Sequence, residues 1–431
     1  MQTSFTENQL KDKDNRTSET IIRKCVHCGM CNATCPTYGI NGEELEGPRG
    51  RIYLIKDMLE NKKPATKQIA KHIDSCLSCY SCMTTCPSGV NYMHLIDHGR
   101  NYVEETYKRP FFDRLFRNIL SFVLPRPKVF LLMALSSKII KPFSFLFPKF
   151  LKNALNLMPD KIPGKKLKEK KVYEVTNGKK ISRVALLTGC VQRVISPEIN
   201  ESTIRLLNRH NVEVVVMPDI YCCGSLNHHL GKQKLAHVSF KKNINSWHDE
   251  YLKNGLDAII SNTSGCGTTL KDYGNLMSGN SRHFETARKI SELTMDISEY
   301  LNSQMALPTL AKQNMTIAYH AACSLQHGQK VLQAPRALLA QAGFEVKTPS
   351  ESHLCCGSAG VYNVLQPELS QQLKERKIRN LNKVGADIIC AGNLGCIHQL
   401  SDASSPICHT IQILDWAYGG PKPDSLVERL G

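Results

Sequence analysis

Two copies of one cysteine spacing constrain this chain more than anything else in it. The first runs Cys25, Cys28, Cys31, Cys35 and closes on Pro36; the second runs Cys76, Cys79, Cys82, Cys86 and closes on Pro87. Each is C-x2-C-x2-C-x3-C-P. Three thiolates at that spacing wrap a short loop around one iron–sulfur cube, while the fourth leaves on a new helix and serves the other cube. The pattern predicts two [4Fe-4S] clusters, one on Cys25, Cys28, Cys31 and Cys86, the other on Cys76, Cys79, Cys82 and Cys35. The two prolines fix φ and turn the chain out of each loop. Zinc knuckles use paired C-x2-C units rather than triples with a Cys-Pro exit. Structural disulfides are not expected: Met1 to Arg23 is polar and charged, without the apolar run of a secretory signal, and thiols in reducing compartments stay reduced.

The expected fold is α+β overall, a mainly helical two-cluster ferredoxin-like domain followed by two repeated α/β Cys-Cys-Gly domains. The first domain is placed at residues 1–106, with 1–23 as a mobile lead-in and a first helix. Between its cysteine runs, Glu46 to Ile55 reads as a turn and then a helical apolar pattern. Arg49 and Arg51 there either donate to an anionic cluster or are exposed or salt-bridged.

Residues 107–180 read as a basic amphipathic connector. Net charge is +17, and Lys108 to Arg183 carries 19 Lys or Arg against four acids. Apolar patches at 111–117, 129–135 and 143–147 alternate with cations, and Pro110, Pro125, Pro127, Pro142 and Pro148 cut the stretch into short helices. Such pieces suit a membrane surface or a partner subunit, or else simply cover the core. Lys161 to Lys180 reads as an exposed linker. No run of 18 uncharged apolar residues exists to span a bilayer.

The C-terminal half repeats itself, at 181–305 and 306–431. Cys190 to Cys323 and Cys222 to Cys355 are both 133 positions apart, and Cys266 to Cys396 is 130. In each copy short apolar strands alternate with helices near 232–253 or 367–384, which predicts a parallel sheet. Strands are expected at 212–216, 257–260, 344–347 and 387–390. One quartet is Cys190, Cys222, Cys223 and Cys266; the other is Cys323, Cys355, Cys356 and Cys396. Adjacent cysteines diverge on a regular strand, so Cys-Cys-Gly reads as a turn whose glycine takes positive φ. Four converging sulfurs favour further iron–sulfur or zinc in this half, with redox or structural thiols as the other reading. Cys390 and Cys408 fall outside the pattern and read as core. His228, His229, His320, His327 and His353 flank the turns and read as hydrogen-bonded structural residues. No G-x-G-x-x-G and no P-loop lysine appears, so no flavin or nicotinamide site is expected.

The strings Cys25-Val26-His27-Cys28-Gly29, Gly47-Pro48-Arg49-Gly50-Arg51-Ile52-Tyr53, Thr85-Cys86-Pro87-Ser88-Gly89 and His353-Leu354-Cys355-Cys356-Gly357-Ser358 carry a resemblance. The chain resembles the glycolate oxidase iron–sulfur subunits over nearly its whole length. The resemblance implies an electron-transfer subunit of a glycolate dehydrogenase complex that does not act alone. Flavin-containing partner subunits would oxidise glycolate to glyoxylate, and electrons would pass to a quinone or other acceptor. It implies peripheral attachment at the cytoplasmic face of the inner membrane, or a cytoplasmic complex where unattached, and no nucleic acid. Two alternatives share the cysteine pattern: a thiol or heterodisulfide reductase-type subunit, and the electron-transfer subunit of a glycerol-3-phosphate or lactate dehydrogenase. The related heterodisulfide reductases end each Cys-Cys-Gly domain in C-x2-C. Here Thr263 and Asn393 stand three before the last cysteine, which removes a ligand from each site.

Overall fold

Helices alone build the first third of the chain. In the computed structural model, which describes residues 1–146, 149–158, 162, 171–175, 178–279 and 283–430, no described residue before Lys171 lies in a strand. The helix Lys13–Lys24 starts where the Asp12 side chain accepts the Asn15 amide, and it buries Ile21 and Ile22. Pro48–Glu60 opens with proline in its first turn and buries Ile52, Ile55, Met58 and Leu59. These side chains meet Ile73, Leu95, Ile96 and Val103 in one core. Each such burial contributes about 1.5–3 kcal/mol. The lead-in is not the mobile segment expected. The Met1 ammonium donates to the Cys25 carbonyl, the Thr3 hydroxyl to Glu19 (2.8 Å), and Phe5 packs on the same core.

The connector forms the helices Phe111–Val123 and Pro127–Ile140, a 3-10 stretch Lys141–Leu146, and the helix Lys149–Asn156. Leu120, Val123, Phe130 and Ala134 face inward, whereas Phe111, Phe112, Phe122, Leu132 and Ile139 are exposed. No single described helix is long and apolar enough to cross a membrane. The pair Phe111–Val123 and Pro127–Phe145 has the length and composition together, bent by 116°. Most of the expected lysine-rich linker (161, 163–170, 176 and 177), with Phe147 and Pro148, lies outside the described residues.

Each repeat is a layered α/β unit. The first sheet has the order β1-β3-β2-β4-β5, from β1 (Lys171–Tyr173), β2 (Ser182–Leu187), β3 (Val212–Val216), β4 (Ala258–Ser261) and β5 (Thr294–Asp296). All are parallel except β1, which pairs antiparallel with β3. The second has the order β7-β6-β8-β9, all parallel, from β6 (Thr316–His320), β7 (Glu345–Lys347), β8 (Ile388–Ala391) and β9 (Ile407–His409). The central strands are continuous apolar runs because helices cover both faces. The two long predicted helices appear as Gln233–Asn254 and Pro367–Asn382. The two sheets share one core: Val184, Leu186, Leu206 and Leu207 of the first copy pack with Tyr319, Leu338, Leu339 and Leu414 of the second. Buried Asp415 ties them further, accepting from Arg205 (2.7 Å) and Arg209 (3.1 Å). Cys390 and Cys408 sit in register on β8 and β9 within this core.

The helical domain rests on both repeats. Against the first, Asp97 meets His228 (3.1 Å) and His229 (3.2 Å), and His94 meets Asp272 (3.0 Å). Against the second, the Tyr362 hydroxyl donates to the Ser75 carbonyl (3.0 Å), and Thr84 Oγ1 lies 2.8 Å from His327 Nδ1.

Candidate metal centres

The two N-terminal cysteine loops are built alike. In the first, His27 and Gly29 take left-handed φ of 59° and 82°; in the second, Ser78 and Tyr80 take 48° and 59°. These are the second and fourth positions after the first cysteine of each run. Left-handed backbone costs a non-glycine residue roughly 1–2 kcal/mol, so the bends are imposed by the need to turn three sulfurs inward. At Gly29 a Cβ would also lie 2.7 Å from the Arg49 guanidinium, which would have to move aside. Cys35 then caps the helix Pro36–Asn41, whose first residue is the motif proline, and Cys86 leaves the helix Ser81–Thr85.

The sulfurs fall into two groups. Burial, followed by the nearby Cys25 and Cys86 sulfurs, pushes the Cys31 thiol up to about 11. Burial also raises Cys82, and the charges of Cys79, Cys76, Cys35 and Cys31 add to it in that order. Each group therefore draws one sulfur from the other run. Cys25, Cys28, Cys31 and Cys86 line a hollow with Cys82 at its wall, which Ile52 and Val90 help to enclose. Thiols this crowded resist ionisation singly, and iron bound among them compensates several thiolates at once. The residues present fit iron–sulfur clusters.

Arg51 is the buried cation of the second group. Its Nη2 donates to Glu46 (2.9 Å), Ser75 (2.8 Å) and Thr37 (3.0 Å), its Nε donates to the His72 carbonyl (2.7 Å), and Nη1 lies 3.9 Å from the Cys35 sulfur. Arg49 instead pairs with Glu44 (2.6 Å), partly exposed. Both arginines sit in salt bridges, Arg49 with Glu44 and Arg51 with Glu46, and Arg51 also reaches the Cys35 sulfur.

In the C-terminal half the Cys-Cys-Gly runs are turns, with Gly224 and Gly357 at φ of 84° and 89°. At Gly357 a Cβ would come within 2.7 Å of the Ser370 carbonyl, so the turn closes on the helix Pro367–Asn382. Both quartets converge at the C-terminal ends of parallel strands, where open α/β sheets place their sites. Cys222 is held well below the ordinary thiol range because Cys190 and Cys223 donate to it. Cys323 and Cys356 do the same to Cys355, with Cys323 and Cys355 sulfurs 3.7 Å apart. Cys356 donates to Cys396 across 3.4 Å and helps hold it down at about 5.

The surroundings of the quartets differ. The first opens to a cleft beneath the connector elbow, which Cys222 lines together with Arg126, Lys128, Arg193, Lys232 and Lys242, and Asp219 is the acid among the lining residues. The second is closed, with Cys355, Cys356 and Cys396 buried, and it packs against Cys79 and Leu77 of the dicluster loop. Of the flanking histidines, His228 and His229 pair with Asp97, and His327 bonds the His353 carbonyl (3.1 Å). His320 lies beside the second quartet, bonded to Cys396 and helping to hold that thiol down. Asp97, Tyr362 and the buried Lys377 were not signalled by any motif.

Residues 21–90 match the family model described as 4Fe-4S dicluster domain, and residues 184–271 and 317–401 each match the cysteine-rich domain model. The chain is 36% identical to the glycolate oxidase iron-sulfur subunit of Escherichia coli, over 97% of this chain and 99% of that one. It is 29% identical to a probable glycolate oxidase iron-sulfur subunit of Bacillus subtilis, over 92% and 93%. A lactate utilization protein A of Shouchella clausii is 22% identical over 53% of this chain. A hypothetical protein from Helicobacter pylori shares the fold, with a TM-score of 0.55, 12% identity, and 98% of this chain and 75% of that chain covered.

Proposed function

From the membership of this chain in the family of glycolate oxidase iron–sulfur subunits, we propose which residues hold its clusters and what stands on either side of them. The chain is an iron–sulfur electron-transfer subunit of an oxidoreductase. Cys25, Cys28, Cys31 and Cys86 hold one cluster; Cys76, Cys79, Cys82 and Cys35 hold the other. The hollow that Cys25, Cys28 and Cys31 line together with Cys86 of the second run carries this reading. Bound there, the clusters supply one-electron steps between a two-electron donor and an acceptor.

The donor is a flavin-containing partner subunit oxidising glycolate to glyoxylate, which releases two electrons and two protons. The chain alone is inactive toward glycolate. The acceptor is a membrane quinone, reached by peripheral attachment at the cytoplasmic face of the inner membrane. Support comes from the exposed Phe111, Phe112, Phe122, Leu132 and Ile139 on basic helices, a surface suited to an anionic bilayer. Around the second cluster, Arg51 offsets thiolate charge, and Tyr362 and Leu373 exclude water from Cys79.

An anaerobically purified chain should hold about eight irons in ferredoxin-type clusters, with paramagnetic interaction between them once reduced. Stoichiometric zinc with negligible iron would exclude the ligand assignment. Glycolate-driven dye reduction by the isolated chain would exclude the need for partners.

A further inference from the structure

No step of the electron path uses the cleft beneath the connector elbow. Its walls are the end of the helix Phe111–Val123 with the elbow that follows, and one face of the helix Gln233–Asn254. It offers about 1210 Å³, above the roughly 300–1,000 Å³ of small-molecule pockets. Two chemistries meet in it. Phe122, Leu235 and Val238 line it while 54%, 49% and 65% exposed. Arg126, Lys128, Lys232 and Lys242 line it too, and none of these four has a carboxylate within ion-pair distance among the described residues. Arg126 lies over the Phe122 ring, 4.2 Å from its centroid, and Lys232 donates to the Asn118 side chain.

The fold of the repeat does not dictate this face. Gly224 closes on Phe240 as Gly357 closes on Leu373, 133 positions on, so the two long helices correspond at that spacing. Leu235, Val238 and Lys242, which share one side of their helix, then correspond to Glu368, Gln371 and Glu375. The three in the second copy are exposed and polar, an ordinary solvated face. The first copy instead has two apolar side chains and a cation, turned into the cleft.

Apolar walls and cations without carboxylate partners fit an amphiphile with an anionic head. Free phosphate would leave Phe122, Leu235 and Val238 in water, and a neutral quinone would leave the cations unanswered. We propose that this cleft seats an anionic phospholipid, its phosphodiester among Arg126, Lys128, Lys232 and Lys242 and its acyl chains along Phe122, Leu235 and Val238. The proposal rests on the membrane attachment read from the connector. The cleft lies at the 116° elbow between the helices assigned to the bilayer surface, where a lipid can be drawn partly out of the leaflet. The seat selects a class of lipid, whereas the exposed rings outside it adhere to any bilayer.

The test uses the full chain, purified anaerobically without detergent, and a short-chain phosphatidylglycerol kept below its micelle concentration, so that no bilayer is present. Calorimetric titration should show saturable binding, with phosphatidylcholine of equal chain length at least about 10-fold weaker. Lys128→Gln with Lys242→Gln should weaken phosphatidylglycerol about 10- to 100-fold at low salt, and Val238→Asp should weaken it as well. All three positions are exposed, so these variants should melt with the parent. Phe111→Ser with Phe112→Ser, outside the cleft, should bind the soluble lipid as the parent does. Equal binding of the two lipids, phosphate bound as tightly as phosphatidylglycerol, a preference for a neutral short-chain quinone, or an affinity unchanged in the lysine pair would each overturn the lipid seat. Failure of the parent to float with anionic vesicles, with the soluble lipid still bound, would instead overturn the membrane attachment.

Discussion

Replacing Arg51 by methionine keeps the aliphatic stem and removes the guanidinium. Arg51 and Glu46 are each 1% exposed and 2.9 Å apart. At an effective dielectric of about 20 their attraction is roughly 6 kcal/mol, an upper bound that desolvation of both ions largely offsets. What decides the outcome is the residue left behind. Glu46 loses its cation, and Thr37, Ser75 and the His72 carbonyl lose a donor. Removing one partner of such a buried pair costs about 3–5 kcal/mol. At about 2–4 °C per kcal/mol for a cooperative unit of 150–250 residues, Arg51→Met should melt roughly 6–20 °C lower. Loss of visible cluster absorbance and of far-ultraviolet ellipticity is followed on heating at one fixed scan rate, because unfolding with cluster release is irreversible. Adding Glu46→Gln removes the stranded charge while keeping an acceptor for Ser75, and should restore at least half the loss. A single variant melting within about 2 °C of the parent, or a double variant no better than the single, would refute the reasoning.

Asp97→Asn should loosen the helical domain from the first repeat by about 2–3 kcal/mol near pH 6. Despite burial, His228 and His229 hold the Asp97 carboxyl well below its usual range, so it is ionised above about pH 4 and its charge is lost on acidification. The Asp97 carboxylate raises His228 against burial, so the charged pairing is complete below about pH 6.5 and fades as pH rises through that elevated value. His229, depressed by burial, stays neutral above pH 6.5 and does not oppose this trend. The melting difference between Asp97→Asn and the parent should therefore shrink between pH 6 and 9; a constant difference would count against the pairing. Phe111→Ser with Phe112→Ser, at side chains 62% and 72% exposed, should weaken flotation with anionic vesicles by about 10- to 100-fold, from roughly 1 kcal/mol or more per ring. Unchanged flotation would remove the membrane surface assigned to the connector. Gly357→Ala, at φ 89° with a backbone oxygen 2.7 Å from the new Cβ, should lower the melting temperature measurably, whereas Gly360→Ala, with open space around it, should be milder.

The dicluster loops were legible because metal ligation fixes both residue type and spacing, leaving little freedom at Cys25 to Cys35 or Cys76 to Cys86. The repeat was legible for a related reason: Cys222-Cys223-Gly224 and Cys355-Cys356-Gly357 need the same left-handed turn, and only glycine takes it without strain. The central strands declared themselves as apolar runs. The edge strands β1, β5 and β9 did not. Each has three residues and owes its conformation to one neighbouring strand rather than to its own pattern. The docking of residues 1–5 was missed for the same reason, since Met1 and Phe5 are held by groups distant in sequence. His320 was invisible as a special residue because a strand-end histidine carries no spacing signal; its place beside Cys356 and Cys396 exists only in three dimensions. Lys377 looks like any helical lysine until the fold closes over it.

The apolar seam shared by the two sheets bears on how this polypeptide is made. Leu206, Leu207 and Val214 emerge from the ribosome well over a hundred residues before Leu338, Leu339 and Leu414 exist to cover them. At synthesis rates of about 5–20 residues per second that leaves a sticky half-molecule waiting for many seconds. Splitting the gene between the repeats would make the wait permanent. A nascent chain of this design calls for holding factors during translation and resists being expressed in pieces.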